Sequence, residues 1–445
     1  MELSNKSVMV VGLGVSGVAA ARFLASRGAK LVMTDRRVDI DRGRLPAGAL
    51  KLGAGAASWV DGIDLVVTSP GVPGDSLLLH AATERRIPVI GEIELASRFL
   101  DAPIAAITGT NGKSTVVVLL GEILKAAGRR TFVGGNLGTP LIEAVGGKWD
   151  VAVVEVSSFQ LEWIEKFQPR AGVHLNLTDD HFDRYKDLED YGRAKARLFE
   201  NQQASDYAIL NREDPNVWKL AKSARSRVIG FGHARGASGA SIWFDDQSNA
   251  IVYDFDFDHA PGGPISLEGF PLRGRHNISN AMAATAAALA LGVKPEQIES
   301  ALASFRGLPH RIEVVHEHGG VTYIDDSKGT NVGAVVEAID ALAAPIILIA
   351  GGLDKGGDYA PLRRPLGEKV KLAIFNGAAR DKMAAALEGA TKIELVATLK
   401  EAVEHAARAA RPGDTVLMSP ACSSFDQFKD YAERGNVYKE LVRAL

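Results

Sequence analysis

The stretch ITGTNGKST at residues 107–115 follows one apolar run, Ile104-Ala105-Ala106-Ile107, and precedes another, Val116-Val117-Val118-Leu119-Leu120. A glycine-rich turn between a short apolar strand and a helix that starts at Lys113 is a phosphate cradle, because its backbone N–H groups and the helix N-terminus converge on one place. Gly109, Thr110, Asn111, Gly112 and Lys113 supply the backbone, Lys113 also reaches toward the β- and γ-phosphates, and Ser114, followed by Thr115, offers a hydroxyl to Mg²⁺. The strict form of the loop needs glycine at position 107, where Ile107 stands, so this is a variant with its physics intact. These residues are the expected contacts to nucleotide phosphates. By itself such a loop serves a kinase, a motor, a switch or a synthetase.

Moving outward, VAVVEVSSFQLE at 151–162 reads as a strand with Glu155 at its exit, where open α/β sheets collect ligands. A carboxylate there can hold Mg²⁺; a solvated strand-end acid is the plain alternative. The next apolar strand, Val173 to Leu177, runs into LNLTDDHFDRY at 175–185, which concentrates Asp179, Asp180, His181 and Asp183 as donors suited to a hard cation. Toward the N-terminus, VVGLGVSG places Gly12, Gly14 and Gly17 in GxGxxG spacing, with a helix from Val15 to Ser26 and Asp35-Arg36-Arg37 after the second strand. A pyrophosphate fits that turn, whether it belongs to NAD or to a UDP-sugar. Glycines that merely pack helix on strand are the alternative.

The rest of the chain fits an α/β protein of roughly two to four domains. Apolar, β-branched runs recur at Val8–Val11, Leu31–Met33, Leu65–Val67, Pro345–Ile349, Leu372–Phe375 and Thr415–Met418, and the chain ends in a helical tail. Pro-containing stretches at 99–105 and 305–311 divide it into segments 1–98, 99–304 and 305–445, and an antiparallel excursion is expected from Gly230 to Asp258. A net charge of -3 and the absence of long basic runs argue against a nucleic-acid partner. The N-terminus lacks a signal-peptide pattern, and the apolar stretches 281–291 and 341–352 fall short of the about 20 residues of a membrane helix. The single cysteine, Cys422, allows no internal disulfide. A soluble, cytoplasmic protein without membrane insertion is expected.

Ten motifs in register resemble the Mur ligases of peptidoglycan synthesis along essentially the whole chain. Besides those quoted, they include TSPGVP at 68–73, GGNLGTP at 134–140, GRHNISNAMAA at 274–284, GLPHRIE at 307–313, DDSKGTN at 325–331 and SPACSSFDQFKDYAERG at 419–435. The resemblance implies three domains: an N-terminal Rossmann-like UDP-binding domain, a central P-loop-type ATPase domain and a C-terminal Rossmann-like domain for the amino acid. It implies an ATP-dependent amide ligase that joins D-glutamate to UDP-N-acetylmuramoyl-L-alanine through an acyl phosphate, working as a monomer with two Mg²⁺ ions. The sequence SPACSSFDQF points to the branch that adds D-glutamate, with sister ligases for other amino acids as rivals. Folylpolyglutamate synthase lacks the UDP domain, and an NAD-dependent dehydrogenase would leave Lys113, Ser114 and Glu155 idle.

Site roles follow from the same resemblance. Gly14, Val15, Ser16, Asp35, Arg36, Arg37, Ser69, Gly71, Asn136 and His181 would contact the UDP substrate. Ser114 and Glu155 would hold one Mg²⁺ and His181 a second, with Lys195 carbamylated by CO₂ as a further ligand; residue chemistry alone reads Lys195 as a surface lysine on a helix. Lys113, His181 and Lys195 would be catalytic. Asn277, Arg306 and Asp326 would lie near the nucleotide, Asn277 doubling as the N-cap of an alanine-rich helix. Lys328, Thr330, Lys355, Ser424, Phe425 and Tyr431 would fix D-glutamate, whose two carboxylates need cations and hydroxyl donors.

Overall fold

Continuous apolar runs such as VMVV, LVVT and IILIAG are buried on both faces, which suits parallel strands covered by helices. The computed structural model describes residues 1–445 apart from 183, 238, 256–260, 273 and 357. The chain forms two compact units. The first comprises Met1–Leu177, Glu189–Gly269 and Asn280–Ser304; the second comprises Thr178–Leu188, Phe270–Ser279 and Phe305–Leu445.

Within the first unit, a five-stranded parallel sheet runs in the order Ala49–Leu52, Lys30–Asp35, Ser7–Val11, Leu65–Thr68, Val89–Gly91. Its order reverses between Ser7–Val11 and Leu65–Thr68, which opens a crevice at their carboxyl ends. The helix Val15–Ser26 has the span expected from the sequence and buries Val18, Ala20, Ala21 and Leu24. A nine-stranded sheet follows in the order Gly263–Ser266, Ala250–Tyr253, Ala240–Asp245, Arg227–Gly232, Tyr207–Asn211, Ala171–His174, Ile104–Thr108, Val151–Glu155, Thr131–Gly135. Ile104–Thr108 lies between Val151–Glu155 and Ala171–His174, parallel to both, so the phosphate loop leaves from a second reversal point. The strand expected over Val173 to Leu177 ends at His174.

The excursion expected at 230–258 is antiparallel only in part. Arg227–Gly232 and Ala240–Asp245 join the sheet in parallel. Antiparallel pairing begins with Ala250–Tyr253, where the short turn 246–249, with Asn249 at φ +48°, reverses the chain, and it ends with Gly263–Ser266. Residues 256–258 lie outside the described residues.

The second unit has a six-stranded sheet in the order Glu313–His318, Val321–Asp325, Thr415–Met418, Ile346–Gly351, Val370–Asn376, Ile393–Leu395. Only the edge hairpin of its first two strands is antiparallel. Helices cover both faces, with Val335, Leu366 and Met383 in one core and Leu399, Val403 and Tyr438 in the other.

One core in the first unit runs from the five-stranded sheet into the nine-stranded one. Ile93, Leu95 and Ala96 of the short helix Glu92–Ser97 belong to the same cluster as Leu141, Ile142, Leu161 and Phe167. Two buried carboxylates of that helix bind backbone across the junction. Glu94 Oε2 accepts the N–H groups of Glu165, Lys166 and Phe167 at 2.8 to 2.9 Å, while Oε1 accepts Arg98 Nε at 2.7 Å. Glu92 Oε1 accepts the Ile142 N–H at 2.7 Å, and its Oε2 has no hydrogen-bond partner among the described residues. Burial, reinforced by the nearby Glu143 and opposed by backbone N–H groups, pushes the Glu92 carboxyl from 4.5 up to about 7.

Between those two pH values the folded chain retains a proton at Glu92 that the unfolded chain has lost, so this group's contribution to stability falls as pH rises. Glu92→Gln removes the penalty of ionisation. It should melt at a higher temperature than the wild type at pH 8, with the gap closing toward pH 4.5; a gap independent of pH would contradict this.

Candidate functional site

Three clusters carry the chemistry, two in the first unit and one in the second. The phosphate loop is built on positive φ at Gly109 (+148°) and Gly112 (+82°). A Cβ on Gly112 would come within 2.4 Å of Asn280 Oδ1, so buried Asn280 packs directly under the loop. Asn176 ties the loop down from the neighbouring strand end: its Oδ1 accepts the Asn111 N–H at 2.8 Å, and its carbonyl accepts the Thr110 N–H at 3.0 Å. Lys113 Nζ folds back onto the carbonyls of Gly109 and Thr110 at 2.9 and 2.7 Å. Ser114 and Thr115 open the helix Lys113–Ala126.

Glu155 is buried, which removes the solvated strand-end reading. Its Oε2 accepts the Ser114 hydroxyl at 2.5 Å and its Oε1 accepts Asn136 Nδ2 at 2.9 Å. A buried hydroxyl and carboxylate in contact beside a phosphate loop are an oxygen donor set that fits Mg²⁺. Lys195, only 1 % exposed, is no surface lysine. Its Nζ donates to the Gly109 carbonyl at 2.9 Å and lies 4.5 Å from the Tyr191 ring centroid. His174 is also buried beneath the loop. Burial, then the charges of Lys195 and Lys113, hold its imidazole down to about 3, and neither ring nitrogen has a hydrogen-bond partner among the described residues.

A cavity of about 760 Å³ lies at the reversal point of the five-stranded sheet, lined by Gly14, Val15, Ser16, Asp35, Arg36, Arg37, Ser69 and Gly71 among others. Val15 and Leu77 are 60 % and 51 % exposed on its wall, an apolar surface for a flat ring. The Ser69 hydroxyl donates to the Gly12 carbonyl at 2.7 Å and joins the two sides of the crevice. Asp35 turns inward: Oδ2 accepts the Leu13 N–H at 2.7 Å, and Oδ1 accepts the Arg37 N–H at 2.9 Å and Arg37 Nε at 3.2 Å. Burial works against ionisation, but the Arg37 guanidinium and these N–H groups hold the Asp35 carboxyl below its usual value. The glycines divide by role. A Cβ on Gly17 would meet the Gly12 carbonyl at 1.8 Å, whereas one on Gly14 would meet nothing within 4 Å. Gly17 is therefore a packing residue, and Gly14 leaves the helix N-terminus open.

In the second unit, the expected amino-acid residues gather at the carboxyl ends of the parallel strands. Lys328 Nζ lies 3.3 Å from the Tyr431 hydroxyl and 4.3 Å from its ring centroid, and Lys355 Nζ lies 3.5 Å from Thr330 Oγ1. Leu353 pairs with Ser423, which brings the Lys355 loop beside buried Ser424 and 68 % exposed Phe425. Arg434, absent from the sequence-derived set, is buried and ties these loops together by donating to the carbonyls of Ser327, Cys422 and Ser423.

Asp326 is buried and accepts the Ser419 hydroxyl at 2.6 Å; burial pushes its carboxyl up to about 7, against the opposing charge of Arg311. Arg311 also faces His276 and Glu337 and was likewise not singled out, although it stands in the GLPHRIE motif. Arg306 is exposed and donates to the Phe305 carbonyl at 3.3 Å. Asn277 is buried but is no N-cap. The helix begins at Arg275, so Asn277 lies in its first turn, with its N–H already bonded to the Gly274 carbonyl. His181 also falls in this unit, at φ +58°, with its N–H bonded to Asp180 Oδ1 at 3.0 Å. Asp180 thereby shapes the turn, and Asp183 lies outside the described residues. Cys422 is buried against Tyr359, in keeping with a packing role. His310, Glu313 and Asp325 also converge, but Lys439 Nζ stands 2.7 Å from Glu313 and 3.9 Å from Asp325, so a cation from the chain already serves them.

Three family models match in succession: the Mur ligase MurD-like N-terminal domain at 6–91, the Mur ligase middle domain at 107–288 and the Mur ligase glutamate ligase domain at 310–422. Proteins named UDP-N-acetylmuramoylalanine–D-glutamate ligase are similar end to end. That of Geotalea daltonii is 48 % identical and that of Geobacter metallireducens 46 %, each alignment spanning 100 % of this chain and 99 % of the relative. Among solved structures, a pseudomurein peptide ligase type C from Methanothermus fervidus shares the fold at a TM-score of 0.63 and 20 % identity, over 99 % of this chain and 100 % of that one. MurF from Acinetobacter baumannii does so at 0.62 and 19 %, over 99 % and 91 %.

The glycine geometry separates folding from binding. Gly17→Ala should lower the melting temperature by several degrees, whereas Gly14→Ala should melt like the wild type but weaken uridine diphosphate binding by about tenfold. Calorimetric titration with a thermal melt checks both; equal effects at the two positions would contradict the division.

Proposed function

The chain belongs to the Mur ligase family, and from that premise we propose that it joins D-glutamate to UDP-N-acetylmuramoyl-L-alanine, converting ATP to ADP and phosphate, in peptidoglycan precursor synthesis. The geometric observation that supports Mg²⁺-assisted phosphoryl transfer from ATP, the first step of a ligase, is the Ser114–Glu155–Asn136 cluster at the mouth of the phosphate loop. The choice of branch rests on end-to-end similarity to D-glutamate ligases.

A carboxylate is a poor electrophile with no usable leaving group. Its oxygen attacks the γ-phosphorus of ATP, ADP departs, and an acyl phosphate forms. The D-glutamate amine then attacks the acyl carbon, the C–O bond to phosphate breaks, and the amine proton is lost. Both reactants of the first step are anionic, so positioning and charge compensation dominate. With the Thr110 and Asn111 N–H groups engaged by Asn176, contrary to the expectation that all five loop N–H groups face phosphate, the helix N-terminus at Gly112 and Lys113 would hold the phosphates, and Lys113 Nζ would exchange its two loop carbonyls for phosphate oxygens. Mg²⁺ bound by Ser114 and Glu155 would neutralise phosphate charge. We assign His181 to a second Mg²⁺ and Lys195 to a CO₂-derived carbamate that ligates metal; a buried lysine is suited to losing its charge in this way.

We assign the uridine diphosphate to the cavity lined by Gly14, Val15, Ser16, Arg36, Arg37, Ser69 and Gly71, with Asp35 bracing the turn. Asn136 and His181 would face the muramoyl-alanine end. A nicotinamide cofactor is disfavoured there, because the carboxylate that would bind its ribose is engaged by Leu13 and Arg37. Asn277, Arg306 and Asp326 are assigned to the nucleotide, and Lys328, Thr330, Lys355, Ser424, Phe425 and Tyr431 to D-glutamate. Segments 1–98, 99–304 and 305–445 then serve UDP substrate, ATP and amino acid in turn. No described helix is long and apolar enough to cross a membrane; a cytoplasmic monomer without a nucleic-acid partner completes the reading.

Phosphate release from ATP with UDP-N-acetylmuramoyl-L-alanine and a panel of amino acids should depend strictly on D-glutamate. Release with L-lysine or diaminopimelate would reject the branch. Lys195→Ala should lose most activity and regain part of it with added short carboxylates; recovery with amines would identify a catalytic ammonium instead.

A further inference from the structure

We propose that Glu92 is a positioning residue for the ligase reaction: its buried carboxylate anchors the loop that presents Asn136 to Glu155, and so couples the five-stranded sheet to the magnesium-binding oxygens. The inference rests on the ligase reading of the Ser114–Glu155 cluster.

The connection can be followed atom by atom. Among the described residues, three hydrogen bonds reach Glu155 from outside its strand: Ser114 Oγ on Oε2, Asn136 Nδ2 on Oε1, and the Asn136 N–H on its backbone carbonyl at 2.8 Å. Two of the three come from Asn136. That residue sits in a tight loop closed by the Gly135 N–H on the Thr139 carbonyl at 2.8 Å, and Gly135 is at φ +95°, where a Cβ would lie 2.4 Å from the Glu155 carbonyl. The loop is therefore pressed against Glu155 with no slack at its start. Its far end runs through Pro140 into the single turn Leu141–Ala144, and a buried backbone donor in the first half of that turn, the Ile142 N–H, is the group Glu92 accepts at 2.7 Å. A short turn cannot satisfy its own first N–H groups, so an outside acceptor fixes where it begins. Here the acceptor comes from the helix that follows the five-stranded sheet.

Glu92 touches no reacting atom in this arrangement. Its neighbour Glu94 binds a different stretch, Glu165 to Phe167, remote in sequence from the Asn136 loop. The two carboxylates share one short helix and comparable burial, so Glu94 serves as the control for purely structural loss. Outer partners of a metal ligand orient it, and their removal commonly weakens metal affinity or activity by about tenfold or more.

The test is D-glutamate-dependent phosphate release by the full-length protein across a Mg²⁺ titration, together with calorimetric titration of Mg²⁺ into the protein saturated with ADP, both well below the melting temperature. Glu92→Ala should raise the Mg²⁺ concentration for half-maximal rate and lower kcat, each by about tenfold, with KM for D-glutamate within about twofold of wild type. Glu92→Gln, which keeps an acceptor, should retain the wild-type Mg²⁺ dependence and kcat. Glu94→Ala, which removes the acceptor of the Glu165–Phe167 N–H groups, should melt earlier yet keep the wild-type Mg²⁺ dependence. If Glu92→Ala does not fold, Glu92→Leu fills a similar volume without an acceptor and gives the same readout. An unchanged Mg²⁺ affinity and rate profile in the folded Ala or Leu variant at position 92 overturns the proposal, as does an equal Mg²⁺ shift in Glu94→Ala. A wild-type protein with no D-glutamate-dependent release overturns the ligase reading itself, which is distinguishable from failure of Glu92 alone.

Discussion

The first unit depends on a buried carboxylate that must be satisfied. Glu155 leaves its strand inside the protein, and an ion there is tolerated only with donors on its oxygens. The donors come from Ser114 at the head of the phosphate-loop helix and from Asn136 after the edge strand Thr131–Gly135. The side chain therefore specifies how a loop, a helix and a second loop approach one strand end. Removing it would leave Ser114 and Asn136 without their partner as well as removing a metal ligand.

Opposite this acid, positive charge is gathered with equal economy. Lys113 and Lys195 both donate to the Gly109 carbonyl, although they lie on different helices. The loop thus has a cationic floor before any phosphate arrives, and burial with these two lysines keeps His174 neutral beneath it. In the second unit the corresponding task is done by a buried guanidinium. Arg434 spends its donors on backbone carbonyls and so holds the Ser327 and Cys422–Ser423 loops at a set separation, leaving Lys328 and Lys355 at their edge.

Features governed by neighbours in sequence were legible before the structure. The helix Val15–Ser26, the helix start at Lys113 and the strands Leu65–Thr68 and Thr415–Met418 follow from apolar periodicity and glycine turns. Features governed by distant partners were not. Lys195 reads as a surface residue because Gly109, which accepts its ammonium, lies 86 positions away. Arg311 and Arg434 looked like ordinary polar residues, since burial and the loops they serve are set only by tertiary packing. Asn277 was placed at a helix boundary because Arg275 and His276 give no helical signal of their own, yet the turn begins with them. The parallel entry into the excursion after Arg227–Gly232 was missed for a related reason: local alternation marks a strand but says nothing about which neighbour it joins.

The glycines of the N-terminal turn bear on how much such a fingerprint can tell. Gly17 is required by a carbonyl of the same turn, and a Cβ on Gly12 would meet Val72 and Ser69 at 2.8 and 3.0 Å. Both would be kept in a protein of this fold that bound nothing at all. Only Gly14 faces open space. Most of the pattern therefore reports architecture, and a search that weights its three positions equally will find relatives by shape while staying blind to the ligand. The discriminating information lies beside the pattern, in whether the acid after the second strand points outward to a ribose or, like Asp35, inward to its own backbone.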